Sequence, residues 1–342
     1  MTRRWAMDYI EIQKALVPEM LPIVQRRYSI LHAVAHLAPV GRRLLADNLQ
    51  LGERVIRSEL DTLKHMGLVE SSLGGVSLTS RGSELLQKMA PYISQLLGLP
   101  HLERQVRERL GIARVVLVPG DSSRDPLVQA ELGRAAARVL LSKIQDGDVI
   151  AITGGTTMSH VAESVHAEKR RVTVVPGRGA LGEKVELQAN TIAAKLAQGL
   201  GGNYRLLHAP DNLSDQALAE LVRDPGIAEV LALIHRTTIL LHGIGDALEM
   251  ARRREVPREQ IARLQELEAV AETLGYYFDA QGQIVWQANS IGLRLRDLEI
   301  IKTVIAVAGG SAKARAIKAF ACKRPQHILI TDQGAAQAIL DL

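Results

Sequence analysis

Seven short apolar runs, each ending in glycine or polar residues and each followed by a stretch of helical periodicity, fill the chain beyond Ile112 and leave few architectures open to it. The runs are 115–118, 149–152, 172–175, 204–207, 239–241, 304–307 and 328–330. Alternation of this kind specifies a mainly parallel sheet covered by helices on both faces. The result is a three-layer α/β domain whose ligands bind beyond the carboxyl ends of the strands. At 342 residues the chain exceeds the usual size of one domain, so a second domain is expected ahead of this one.

The loops after these runs share a composition. Thr153-Gly154-Gly155-Thr156-Thr157 follows the second run and Pro176-Gly177-Arg178-Gly179-Ala180 the third. Gly243-Ile244-Gly245-Asp246-Ala247 follows the fifth and Gly309-Gly310-Ser311-Ala312-Lys313 the sixth. Each reads as the opening of a helix. Glycine lets a backbone approach a ligand, and the first N–H groups of a helix are unpaired donors at the positive end of its dipole. One such loop is ordinary turn chemistry. Four of them, with hydroxyls on Thr156, Thr157 and Ser311 and cations on Arg178 and Lys313, point to a phosphorylated small molecule. A dinucleotide fits less well, because no G-x-G-x-x-G follows the first run and no Walker lysine pattern is present.

Charge divides unevenly along the chain. Residues 1–115 carry 16 Lys/Arg against 11 Asp/Glu, whereas residues 116–342 carry 26 of each, so the whole net charge of +5 belongs to the first third. A small basic part joined to a larger neutral part suits a nucleic-acid reader attached to a second function. An aromatic content of 3% counts against a single-strand reader that stacks bases.

Within that third, Leu44, Leu45, Ala46 and Leu49 suit the buried side of a short helix, and Gln50-Leu51-Gly52 breaks it. Ile56, Leu60 and Leu63 then fall at the spacing of one buried stripe on a second helix. Gly67 suits a left-handed cap, and 68–70 and 76–79 read as a hairpin around Gly74-Gly75. This order resembles the winged helix-turn-helix of bacterial DeoR- and SorC-type repressors, above all in Ile56-Arg57-Ser58-Glu59-Leu60 followed by Leu63, Gly67 and Leu68. The resemblance implies that the second helix enters the major groove of double-stranded operator DNA, with Arg54, Arg57, Ser58 and Lys64 as contacts and Arg57 foremost. The plainer alternative is a helical hairpin whose arginines solvate an outer face. From Ser83 to Leu110 the chain reads as helical with a break at Gly98-Leu99-Pro100, and the alternating charges of Glu103, Arg104, Arg107, Glu108 and Arg109 suit an exposed connector.

The stretches VIAITGGTTMSHVAE, VVPGRGALGEKVELQANTIAAKLA, LLHGIGDALEMARRR, AETLGYYFD, VAGGSAKARAIKA and ILITDQGAA resemble the effector-binding domain of SorC-family transcriptional regulators. The resemblance implies a repressor of glycolytic genes whose effector is a phosphosugar, fructose-1,6-bisphosphate before others. It also implies a fold related to the glucosamine-6-phosphate deaminase and ribose-5-phosphate isomerase group. By motif, Gly155, Thr156, Thr157, Arg178 and Lys313, with Gly310 and Ser311 of the last loop, would hold one phosphate. A second would lie near Arg252-Arg253-Arg254, with Arg253 favoured, and Glu272 would accept hydrogen bonds from sugar hydroxyls. Two dianionic groups require two separated cationic sites.

The rival is a sugar-phosphate isomerase or deaminase. Such chemistry needs a base with a proton-relaying partner, and the deaminases' G-x-G-x-D-G-H phrase is replaced here by Gly243-Ile244-Gly245-Asp246-Ala247-Leu248-Glu249-Met250, without the histidine. A regulator without catalytic residues is therefore expected. His160, His166, His208, His235 and His242 lack metal-ligand spacing, so neither metal nor cofactor is expected. The single cysteine, Cys322, and the lack of a long apolar stretch or signal-peptide core lead to a cytoplasmic expectation. The expected organisation is a winged helix-turn-helix at 1–82, a helical linker at 83–112 and an effector domain at 113–342, self-associating as a dimer or tetramer so that two heads meet symmetric half-sites.

Overall fold

The computed structural model describes residues 10–179, 184–210, 214–322, 324 and 327–342. Ala180 of the second glycine loop lies outside the described residues, as does the start of the expected first domain. The chain divides into two compact units, Met1–Pro100 and His101–Leu342.

In the smaller unit, helices Met20–Leu37, Arg42–Leu49 and Glu53–His65 precede a hairpin of β1 (Val69–Ser72) and β2 (Gly75–Leu78), and helix Ser80–Leu96 follows. The Ile56, Leu60 and Leu63 stripe is buried with Ile30, Leu31, Val34 and Leu45. Leu44 departs from expectation and is exposed. A helix turns 100° per residue, so Leu44 shares its stripe with Asp47 and Asn48, whereas Leu45 and Leu49 share the inner one. Gly67 is left-handed and closes the second helix, with the Leu68 N–H donating to Leu63 O at 2.9 Å. The hairpin turns at Leu73-Gly74, one residue before the expected point. Glu59, buried on the helix Glu53–His65, accepts from Arg26 and Arg27 of the first helix at 2.8 Å each, which fixes how the two helices are rotated against each other.

The connector is two helices, Ser80–Leu96 and Leu99–Leu110. Gly98 provides the break, while Leu99 and Pro100 already belong to the second helix, where proline's missing N–H costs nothing. That second helix is not exposed all round. Leu99, Val106 and Leu110 are buried, and Glu103 accepts the Leu117 N–H at 2.9 Å.

The larger unit is built on a seven-stranded parallel sheet. In chain order its strands are β3 (Arg114–Val118), β4 (Val149–Ile152), β5 (Thr173–Pro176), β6 (Asn203–Tyr204) and β7 (Ile239–Gly243), completed after an insertion by β12 (Thr303–Val307) and β13 (Ile328–Asp332). The spatial order is β3-β13-β12-β7-β4-β5-β6. Every expected run contributes, but 204–207 supplies only Tyr204, the second residue of the edge strand β6. Leu207 instead bonds through its N–H and carbonyl to the Asn190 side chain. All four residues of β4 are buried, as are Leu132, Met158, Ile192, Leu196, Leu241 and Ile305 around it. Each such side chain contributes roughly 1.5–3 kcal/mol relative to exposure. Helices Pro126–Leu141 and Thr156–Glu163 meet where Gly133 leaves room, since a Cβ there would lie 2.6 Å from the His160 backbone.

The insertion is a second sheet that the sequence reading did not anticipate. It consists of β8 (Gly245–Asp246), β9 (Ala271–Thr273), β10 (Tyr276–Phe278) and β11 (Ile284–Gln287), antiparallel throughout. Strands of two to four residues are too short to display a period. Among the described residues no helix is long and apolar enough to cross a membrane.

Burial pushes the Glu59 carboxyl up, but hydrogen bonds and charge from Arg27 and Arg26 outweigh it, and the group titrates below the usual carboxylate range. The pair's contribution is therefore present at neutral pH and lost as pH falls through that lowered value. Glu59→Gln is expected to lower the stability of the smaller unit by about 1–2 kcal/mol at pH 7 and to flatten its acid sensitivity. Denaturant midpoints measured from pH 7 to 3 test this; parallel curves for the two proteins would contradict it.

Candidate functional site

A cavity of about 810 Å³ opens beyond the carboxyl ends of β4, β5, β7 and β12. Strand order reverses at β4, with β5 and β6 laid to one side and β7 and β12 to the other, and such a reversal leaves a crevice where the loops diverge. Of the residues expected to hold an effector, Gly155, Thr156, Thr157, Arg178, Arg253, Glu272 and Lys313 line this cavity. Gly310 and Ser311 are not among its lining residues.

The loop after β4 delivers a helix N-terminus. Gly155, at φ +112°, is the N-cap of helix Thr156–Glu163 and has no side-chain cap to offer, so donors of the first turn and two threonine hydroxyls meet the cavity together. The Gly155 N–H itself goes to Leu187 O at 2.9 Å, and the Thr157 hydroxyl accepts from Gln129 Nε2 at 3.4 Å.

The loop after β5 does not open a helix directly, contrary to the sequence reading. It runs extended against 291–293, with the Gly179 N–H donating to Ile291 O and the Leu293 N–H to Gly177 O. This strap aims Arg178 inward. Glu272, on β9 and buried, receives Arg254 Nη2 at 2.7 Å, the Gly275 N–H at 2.7 Å and Arg178 Nη1 at 3.4 Å, all on Oε1. Its neighbours are thus arginines and a backbone donor, a setting richer in donors than a lone acceptor for sugar hydroxyls would have.

Within the arginine triplet the side chain turned inward is that of Arg254, at 5% exposure, whereas Arg253 is 44% exposed and lies 3.9 Å from Glu249. Adjacent residues at a helix end point about 100° apart, and although all three arginines line the cavity, Arg254 is the one buried against Glu272. Arg254 belongs to the triplet named from the sequence without being its favoured member, and Lys184 is a cavity residue absent from the sequence-derived set. The triplet signalled the first to within one residue; nothing in the sequence signalled the second.

Beneath the cavity, His242 is fully buried. Its Nδ1 lies 2.9 Å from the Thr273 hydroxyl, which donates to Gly243 O at 2.7 Å, so the ring donates and ties β7 to β9. Burial lowers its pKa to about 4 and keeps it neutral. Asp246 is the N-cap of helix Ala247–Arg253, accepting from the Leu248 and Glu249 N–H groups.

The loop after β12 is arranged differently from expectation. The Gly310 N–H donates to Asp332 at 2.7 Å, and the Ser311 N–H and hydroxyl donate to Asp121 at 3.0 and 2.7 Å. Donors expected to face a phosphate are committed to the protein's own carboxylates. Only Lys313 of this loop reaches the large cavity.

In the smaller unit Arg54, Arg57, Ser58 and Lys64 are all exposed on helix Glu53–His65, away from the buried stripe. Arg54, Arg57 and Ser58 are neighbours by spacing, and Lys64 lies two turns beyond Arg57.

Residues 94–341 match the family model described as "Putative sugar-binding domain", and residues 23–93 match that of the CggR N-terminal DNA binding domain. The chain is 41% identical to the central glycolytic genes regulator of Bacillus subtilis, over 97% of this chain and 98% of that protein. It is 43% identical to the protein of the same name from Priestia megaterium, again over 97% and 98%. A solved structure described as "the putative SorC family transcriptional regulator from Enterococcus faecalis" superposes with a TM-score of 0.66 at 41% identity, covering 70% of this chain and 99% of that one.

Removing Glu272 would leave two buried guanidinium groups without the carboxylate they share. Glu272→Ala is expected to destabilise the larger unit by about 3 kcal/mol, and Glu272→Gln by less, since an amide oxygen still accepts from Gly275. Thermal unfolding checks this; an unchanged melting temperature for the alanine variant would show that the cluster holds nothing together.

Proposed function

Because the chain belongs to the SorC-type family of bacterial transcriptional regulators, beside the central glycolytic genes regulators, we propose that it represses glycolytic genes and that a phosphorylated sugar releases or remodels its hold on operator DNA. It is a regulator of glycolytic gene transcription with a DNA-binding and a sugar-binding domain, not an enzyme. The observation that carries the effector reading is the chemistry of the cavity. A helix N-terminus with two threonine hydroxyls, Lys313 and Arg178 offer the donors of one phosphate site. Arg253, which lines the same cavity but points to Glu249 and not to the Glu272 cluster, offers a second cationic group. Two anion sites in a cavity of about 810 Å³ favour a sugar bisphosphate, with fructose-1,6-bisphosphate as effector and Glu272 accepting from a sugar hydroxyl. Asp246, the residue nearest in motif to the deaminases' acidic group, is occupied as a helix cap.

In this reading residues 1–82 form a winged helix-turn-helix, 83–112 a linker and 113–342 the effector domain, related in fold to the sugar-phosphate isomerase and deaminase group. The protein works in the cytoplasm as a dimer or tetramer. Helix Glu53–His65 enters the major groove with Arg57 leading and Arg54, Ser58 and Lys64 beside it. Sugar-phosphate binding changes the arrangement of subunits and thereby the spacing of the two heads.

A gel-shift on the DNA upstream of its own gene, with and without a panel of phosphosugars, tests regulator and effector together. Fructose-1,6-bisphosphate is expected to weaken or alter the shifted complex more than monophosphates do. Arg57→Ala should cost about 1–3 kcal/mol of specific binding while phosphosugar binding persists. Turnover of fructose 6-phosphate or glucosamine 6-phosphate by the purified protein would overturn the reading.

A further inference from the structure

The loop from Gly309 to Lys313 has the composition of a phosphate cradle, but its contacts are those of a clamp. Asp121, in the loop after β3, accepts from the Ser311 N–H and hydroxyl and from the Ser123 N–H, with Arg124 at 3.8 Å. Asp332, fully buried at the end of β13, accepts on one oxygen from the Gly310 N–H at 2.7 Å, the Ser122 N–H at 2.9 Å and the Ser122 hydroxyl at 2.6 Å. Its other oxygen caps the last helix through the Ala335 N–H at 2.8 Å. The Ser123 hydroxyl takes the Ala312 N–H at 3.3 Å.

These contacts explain the glycines. A Cβ on Gly309 would lie 2.4 Å from an Asp332 oxygen, one on Gly310 2.3 Å from the Ser123 hydroxyl, and one on Gly334 2.4 Å from the Asp121 carboxyl carbon. The backbone is bare here so that two carboxylates and a serine can close on it.

What the clamp holds is Lys313. This residue ends the 3-10 turn Ser311–Lys313, its N–H donating to Gly310 O at 2.9 Å. Its side chain borders the large cavity on one side and, on the other, a second cavity of about 290 Å³ that Ser122, Ser123 and Thr157 also line. With cavity space on two sides, packing does little to direct a long flexible side chain. Its direction is set by the backbone it leaves.

We propose that Asp121 and Ser311, supported by Asp332, are positioning residues for Lys313, presenting its ammonium group to a phosphate of the bound sugar without touching the ligand themselves. The proposal rests on the phosphosugar reading of the cavity. Burial pushes the Asp121 carboxyl up, but the hydrogen bonds from Ser311 and Ser123 and the charge of Arg124 hold it below the usual range, so the clamp is charged and its hydrogen bonds are charge-assisted at neutral pH.

Calorimetric titration of the full-length protein with fructose-1,6-bisphosphate distinguishes this from ordinary structural support. Lys313→Ala is expected to weaken binding by about tenfold or more. Asp121→Asn and Ser311→Ala should each weaken it several-fold, and Asp121→Asn should add nothing once Lys313 is alanine, because the group it positions is gone. Denaturant midpoints establish that each variant is folded. Asp121→Asn is preferred to a change at Asp332, whose burial and capping role put folding itself at risk. If Asp121→Asn weakens binding equally with and without Lys313, or leaves it intact while Lys313→Ala weakens it, the clamp is overturned and the cavity reading survives. Should Lys313→Ala bind as tightly as wild type, or wild type bind no phosphosugar, both fall.

Discussion

One carboxylate oxygen, Oε1 of Glu272, gathers donors from three places in the larger unit: Arg254 at a helix end, Arg178 on the strap after β5, and the Gly275 N–H in the turn between β9 and β10. A charge withdrawn from water is tolerated only where partners replace its hydration. The second sheet must therefore lie where Glu272 meets both arginines, and that placement brings Glu272, Thr273 and Leu274 into the cavity wall. His242 and Thr273 repeat the tie with neutral groups, joining β7 to β9 beneath it.

Four loops of similar composition do four different things around this cavity. The one after β4 exposes a helix N-terminus, the one after β5 is an extended strap, the one after β7 passes into the second sheet, and the one after β12 is clamped by Asp121 and Asp332. Glycine permits close approach but does not choose what approaches. A ligand, a neighbouring strand or a carboxylate from another loop can fill the same role, and here carboxylates did so, from 190 residues away at Ser311 and 22 residues away at Gly310.

The smaller unit repeats the larger unit's device. Glu59 receives one nitrogen from each of Arg26 and Arg27, and so sets the rotation of the helix that carries Arg54, Arg57, Ser58 and Lys64 outward. In both units a carboxylate shared by two arginines fixes the placement of an element that also carries exposed cations.

The sequence alone determined whatever follows from a local period. Six of the seven parallel strands were legible because a strand buried on both faces must be a continuous apolar run, the exposed edge strand β6 being the exception, and the stripe of Ile56, Leu60 and Leu63 was legible because a helix repeats every 3.6 residues. Most cavity residues were legible too, since loops that end parallel strands meet at one edge of a sheet. Tertiary structure decided the rest. The strands β8 to β11 are too short to show a period, Arg254 turned inward in place of Arg253 through the angle of a helix end, and Leu44 faced outward through one residue's rotation. The partners of Gly310 and Ser311 come from Asp332 and from Asp121, 190 residues before Ser311, and no pattern along the chain encodes a pairing that exists only once the sheet has brought β3, β12 and β13 together.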